Sequence, residues 1–146
     1  MSSDDAIRLV EAAPDRLATM MSGGVGLRSD DLKHWSETGY LWHLVDVIRP
    51  GTERLWILTL DPPSGIPGWN EEALAEARRY EALSPIVGLR ALDRAIHESV
   101  RAAREAPPSA EATHPVFGRL STRQAIVRNA HEIQHHGRDI ERVMTG

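Results

Sequence analysis

The chain has 146 residues, 41% hydrophobic and 5% aromatic, which is enough for one core built on Leu, Ile, Val and Ala. Its net charge of −4 argues against general affinity for nucleic-acid phosphates, and the absence of cysteine excludes disulfides and thiolate metal ligands. The acidic amino-terminal stretch lacks a signal-peptide core and no run approaches the roughly 20 apolar residues of a membrane span, so a cytoplasmic protein of a single domain, 1–146, is expected.

Residues 4–21 read as a first helix with the stripe Ile7, Val10, Ala13, Leu17, Met20 and Met21. Pro14 should kink or divide it, because proline removes a donor and clashes with the preceding turn. The glycines after Ser22 end it, and residues 27–35 read as a connecting loop. Ser36 caps a second helix whose buried face carries Tyr40, Leu44, Val47, Leu55 and Leu58. His43 lies at the edge of that face, with Asp46 three residues on. Pro50–Gly51 predicts a kink or break. Residues 61–68 form a loop. Asn70, followed by Glu71 and Glu72, opens a short polar helix ending near Leu83. Ser84–Pro85 opens the next, with the stripe Ile86, Leu89, Leu92, Ala95 or Ile96, and Val100. Residues 106–118 read as a loop, and no strand-period run is evident.

The last helix follows. Ser121 and Gln124 have capping-box spacing. Ile126, Ala130, Ile133, Gly137, Ile140 and Met144 then fall on one stripe. At 100° per residue, Arg123, Gln124, Arg128, Gln134, Arg138, Glu141 and Arg142 fall on the opposite side, and His131 and His135 fall among them. Glu132 and His136 fall on the flank of the stripe, beside Ala125, Asn129 and Val143. Two donors four residues apart on such a flank can address one metal ion, whereas the same spacing on the arginine side would be solvated. The expected architecture is all-α: a four-helix bundle with a short extra helix between helices two and three.

Three segments carry a resemblance. They are WSETGYLWHLVDV (35–47), HPVFGRLS (114–121) and HHGRDIER (135–142). Together, in this order, they resemble the DinB-like (damage-inducible) family of four-helix-bundle metalloproteins. The resemblance implies a divalent metal held by one histidine of helix two and two histidines, four apart, of the last helix. His43 carries over directly. Aligning the close on Ile140 carries the final ligand onto His136 and the remaining one onto Glu132. In the alternative register the pair is His131 and His135, and a local π-bulge would bring His131 and His136 together.

Two histidines and a carboxylate with open positions suit Zn, Ni, Fe(II) or Mn. The resemblance further implies a small-molecule substrate or a low-molecular-weight thiol, handled by a metal-dependent thiol S-transferase or hydrolase, and is in keeping with a homodimer. A second class of function also fits: a metal-free helical bundle that binds a small ligand or partner, because Glu132 stands where a histidine is expected. His34, His97 and His114 read as loop or surface residues, with the His114 segment near the bundle mouth. Asp46 reads as either an orienting partner for a ligating imidazole or a surface acid. Trp42 and Trp56 read as packing.

Overall fold

The computed structural model describes residues 1–23 and 35–146. His34 and most of the expected 27–35 loop lie outside the described residues. The first helix is divided as Pro14 predicts, into α1 (Ser3–Glu11) and α2 (Ala13–Met21). Proline in the first turn of α2 costs nothing there, because that N–H would have no intrahelical partner. Helix α3 (Glu37–Leu60) starts at Ser36, whose Oγ accepts from the Gly39 N–H at 3.1 Å. Ser36 is held in turn by Glu81, which accepts from its N–H at 2.8 Å.

Pro50 does not break α3. The helix runs through it to Leu60, because the flanking residues Leu44, Val45, Ile48, Leu55 and Leu58 are all fully buried. Packing on both sides outweighs one lost backbone hydrogen bond. The short helix α4 (Glu71–Arg78) is capped by Asn70 as expected. It ends at Arg78, five residues earlier than predicted, and the next residue, Arg79, adopts a left-handed conformation (φ 50°). A 3-10 turn, Tyr80–Ala82, follows. Helix α5 (Pro85–Glu105) is capped by Ser84. Helix α6 (Thr122–Thr145) opens with the predicted capping box between Ser121 and Gln124.

The four-helix bundle expected from the sequence is therefore the fold observed, with α1–α2, α3, α5 and α6 as its four members. Helix α3 is its centre, buried on every side from Glu37 to Ile48 and packed on both α5 and α6. Leu92 and Val100 of α5, Ile126, Ile133 and Ile140 of α6, and Leu17 of α2 complete the core. No helix among the described residues is long and apolar enough to cross a membrane.

The 106–118 segment is not wholly a loop. Strands β1 (Glu111–His114) and β2 (Gly118–Ser121) form an antiparallel hairpin, with Ala112 opposite Leu120 and His114 opposite Gly118. Each strand has four residues, too few to show a period of two. Ala112, His114 and Leu120 turn inward and Gly118 takes the left-handed conformation (φ 67°) that closes the turn. The Ile66 N–H donates to Thr113 O at 2.8 Å, which fastens the loop after α3 to the hairpin.

Two buried glycines have opposite tolerances. A Cβ on Gly137 would meet only the guanidinium end of the exposed Arg16, at 2.8 Å. That group can move, and alanine gains about 1 kcal/mol of helix propensity. Gly137→Ala is therefore expected to hold or raise the thermal midpoint in a calorimetric scan. Gly51 is the contrary case taken up in the Discussion.

Candidate metal centre

The rotational setting of α6 decides which polar groups point inward. His136 is 8% exposed and Glu132 is half-buried, whereas His131 and His135 lie on the exposed side and stack on each other, ring centroids 5.9 Å apart. Across the bundle, His43 of α3 is buried, and its ring centroid lies 4.5 Å from that of His136 in an edge-on arrangement. Glu132 Oε2 lies 3.5 Å from His136 Nε2. His43 thus faces His136 across the bundle and Glu132 faces His136 along α6, while His131 and His135 lie on the exposed side. No turn of π-helix interrupts α6.

A carboxylate that sequence reasoning passed over completes the group. Asp139 Oδ2 lies 3.1 Å from His136 Nδ1, while Oδ1 accepts from Arg142. Asp139 follows His136 by three residues on one helix face, a spacing that could have signalled it. An imidazole whose Nδ1–H is given to a carboxylate presents Nε2 as a lone-pair donor, the arrangement that orients metal-ligating histidines. Asp46, read as either an orienting partner or a surface acid, is neither. It is buried, accepts from Tyr80 Oη at 2.8 Å and pairs with Arg78 and Arg49, so it ties the segment after α4 to α3. Burial and this hydrogen bond raise the Tyr80 phenol above its ordinary range.

The donor set fits a divalent ion by two observations. First, His43 Nδ1 is enclosed and without a hydrogen-bond partner, and its ring sits 4.8 Å from that of Trp35. Second, two donors bound at about 2.1 Å to one tetrahedral ion stand about 3.4 Å apart. The Glu132–His136 separation of 3.5 Å matches that value. A second set shares His136: it, His135 and Asp139 offer donor atoms within 4.8 Å of one another. Its members are less available. Asp139 is already engaged by Arg142 and His136, and His135 Nε2 lies 3.8 Å from Asp139 Oδ2 with its side chain 59% exposed.

Electrostatics follow the packing. Burial, and then the neighbouring His136, push the His43 imidazole from its ordinary 6.5 down to about 4. The His136 ring against it holds the Glu132 carboxyl below its usual range despite burial. Glu71, at the start of α4, is pushed up by burial and by the Glu132 charge. Neutral His43 in the folded state stabilises the protein above pH 6.5, where the unfolded chain is also neutral. As pH falls from 6.5 toward 4 the unfolded chain binds a proton that the folded one does not, so stability is lost in that window. With chelator present, urea unfolding at pH 7.5 and pH 5 should differ through this group by about 2 kcal/mol, and His43→Gln should remove that share.

The remaining predicted residues are accounted for. His97 is exposed on α5 as expected. His114 is not a surface residue: it is 4% exposed, and its Nδ1 accepts from the N–H groups of Val116 and Phe117 at 3.1 and 3.2 Å. Trp42 and Trp56 pack as expected, donating to Ser84 O and Glu98 Oε1 respectively. Arg128 was assigned to the solvated side of α6, yet it is half-buried, its guanidinium 3.6 Å from the Phe117 ring centroid. Nothing local in the sequence shows that a hairpin will fold over it.

No family model matches the chain, and no curated protein matches it significantly by sequence. A solved structure does match, with a TM-score of 0.75 over 98% of this chain and 87% of the other, at 19% sequence identity. It is that of YfiT from Bacillus subtilis, described as a probable metal-dependent hydrolase with an unusual four-helix bundle topology. The chain has the YfiT fold. The four-helix bundle read from the sequence is borne out at this level. Within the YfiT fold, His43 and the Glu132/His136 flank occupy α3 and α6, the two helices packed on each other at the bundle centre.

Proposed function

We propose that this chain binds one divalent metal ion through His43, Glu132 and His136 and acts on a small-molecule substrate, as a hydrolase or as a thiol S-transferase. The observation that carries the reading is that His43 of α3 faces His136 of α6, itself 3.5 Å from Glu132, with the buried His43 Nδ1 left unpartnered. The metal dependence ascribed to YfiT, a protein of the same fold, supports it. When bound there, a divalent ion supplies a Lewis acid that lowers the pKa of water or a thiol. The chain's own residues do the rest. Asp139 fixes the His136 tautomer, Trp35 and Tyr40 exclude water from one side, and Glu71 is a half-buried carboxyl that burial and the Glu132 charge make a weaker acid than usual.

The test is metal analysis of untagged protein after exposure to Zn, Ni, Mn or Fe(II). The expected result is about one ion per chain, with hydrolysis or thiol transfer that chelator removes. A second reading, the metal-free binding module, is favoured by the Glu132–His136 contact, since an i, i+4 pair can satisfy itself. In that case no added metal raises the occupancy or the thermal midpoint.

A further inference from the structure

A groove of about 650 Å³ lies between α3 and α5. Arg49 of α3, Arg78 of α4, and Arg90 and Arg94 of α5 all line it, and Glu98 is the one carboxylate among the described residues that do. The arginines come from three helices, so the fold, not a run in the sequence, gathers them. The chain has a net charge of −4, so this cationic concentration runs against its composition.

The carboxylates at hand do not neutralise it. Asp46, buried beneath, accepts from Tyr80 Oη and pairs with both Arg49 and Arg78, so one negative charge serves two guanidiniums. Glu98 accepts from Trp56 Nε1 at 3.2 Å. Four arginines against Asp46 and Glu98 leave two positive charges over. Arg90 and Arg94 are exposed and one helical turn apart on α5, and among the described residues they make no hydrogen bond or ion pair. Like charges at that spacing disfavour a helix slightly, and each guanidinium keeps a planar fork open to a carboxylate.

The groove is also partly apolar. Trp42 forms part of its wall, with the Arg78 guanidinium 4.9 Å from the Trp42 ring centroid. Toward the start of α5, Val87 lines it and is 53% exposed, and Ile86 on the adjoining flank is 63% exposed. Aliphatic side chains beside open guanidiniums complement a segment that carries both acidic and aliphatic residues. A nucleic acid fits less well, because its charge would continue beyond the groove onto a chain of net negative charge.

We propose that this groove docks a short acidic segment of a partner protein, with carboxylates on Arg90 and Arg94 and an aliphatic side chain against Val87. None of the residues lining it belongs to the metal donor set, so the surface stands independently of the metal reading.

The test uses untagged protein and a short labelled peptide of alternating glutamate and leucine. Binding is followed by fluorescence anisotropy at physiological ionic strength, first with chelator and then with zinc. The same peptide with glutamine in place of glutamate, and an oligothymidylate of equal charge, are the controls. Saturable binding of the glutamate peptide is expected in both conditions, weakening as salt is raised, with the Arg90 and Arg94 Nε–Hε NMR signals moving. Affinity should fall at least tenfold in the double variant R90Q/R94Q and by a smaller factor in V87S, while the metal stoichiometry and thermal midpoint of both stay those of the wild type. The R90K/R94K variant, which keeps the charge but not the fork, should recover only part of the loss. Absence of saturable binding, equal affinity in wild type and R90Q/R94Q, a glutamine peptide that binds equally well, or an oligothymidylate bound as tightly as the peptide overturns the proposal. Failure to bind metal with peptide binding intact overturns only the metal reading.

Discussion

His136→Ala is expected to reduce bound metal from about one ion per chain to less than a tenth, with the bundle still folded. His136 is the one donor common to both candidate sets, and Nε2 is its free coordinating atom because Nδ1 faces Asp139. The substitution removes a first-sphere ligand outright. Weakening the support alone, with Asp139→Asn, should cost less, about 10- to 100-fold in metal affinity. His43→Ala then discriminates. It should also empty the site, because the buried His43 imidazole is the contribution of α3. His135→Ala should leave occupancy unchanged, since that side chain is 59% exposed on the outer side of α6. Circular dichroism and metal analysis on the same preparations separate loss of metal from loss of fold.

Gly51→Ala should be the most destabilising of the conservative substitutions proposed here. A Cβ at Gly51 would stand 2.1 Å from Asn129 Oδ1, well inside van der Waals contact. Asn129 cannot swing aside cheaply. It is 4% exposed, and its Nδ2 donates to Ser99 Oγ at 3.1 Å, so one side chain joins α3, α5 and α6. Either that hydrogen bond breaks, leaving buried polar groups unpaired, or α3 and α6 move apart. The net cost after the gain in helix propensity is about 1–3 kcal/mol, a fall in thermal midpoint of roughly 5 °C for a chain this size. Because the separation of α3 and α6 also sets the distance from His43 to His136, metal affinity should fall with stability. The double variant with Asn129→Ala should recover part of the loss, and the coupling read from the cycle measures the clash itself.

The bundle was legible because helix signals are local and were written several times over. Caps at Ser36, Asn70, Ser84 and Ser121 each started a helix where expected. The phase of α6 was legible for the same reason: six apolar residues on one stripe fix which side is inward, and Glu132 and His136 follow from it. What sequence did not show depends on neighbours distant in the chain. Pro50 suggested a break because its local cost is visible, while the burial of Leu44, Ile48 and Leu55 around it is tertiary. The hairpin was missed because two four-residue strands carry no period. With it went His114 and the half-burial of Arg128 under Phe117. Asp46 and Asp139 each follow a histidine by three residues, and only the packing of Tyr80 and Arg78 on the first shows that it is already engaged.

The most direct measurement is anomalous scattering at the zinc edge from crystals grown with zinc. One peak bonded to His43, Glu132 and His136 at about 2.0–2.2 Å is the expected result. A peak on His135 and Asp139 with His43 standing clear of it, or no peak at all in zinc-saturated crystals, would contradict the assignment.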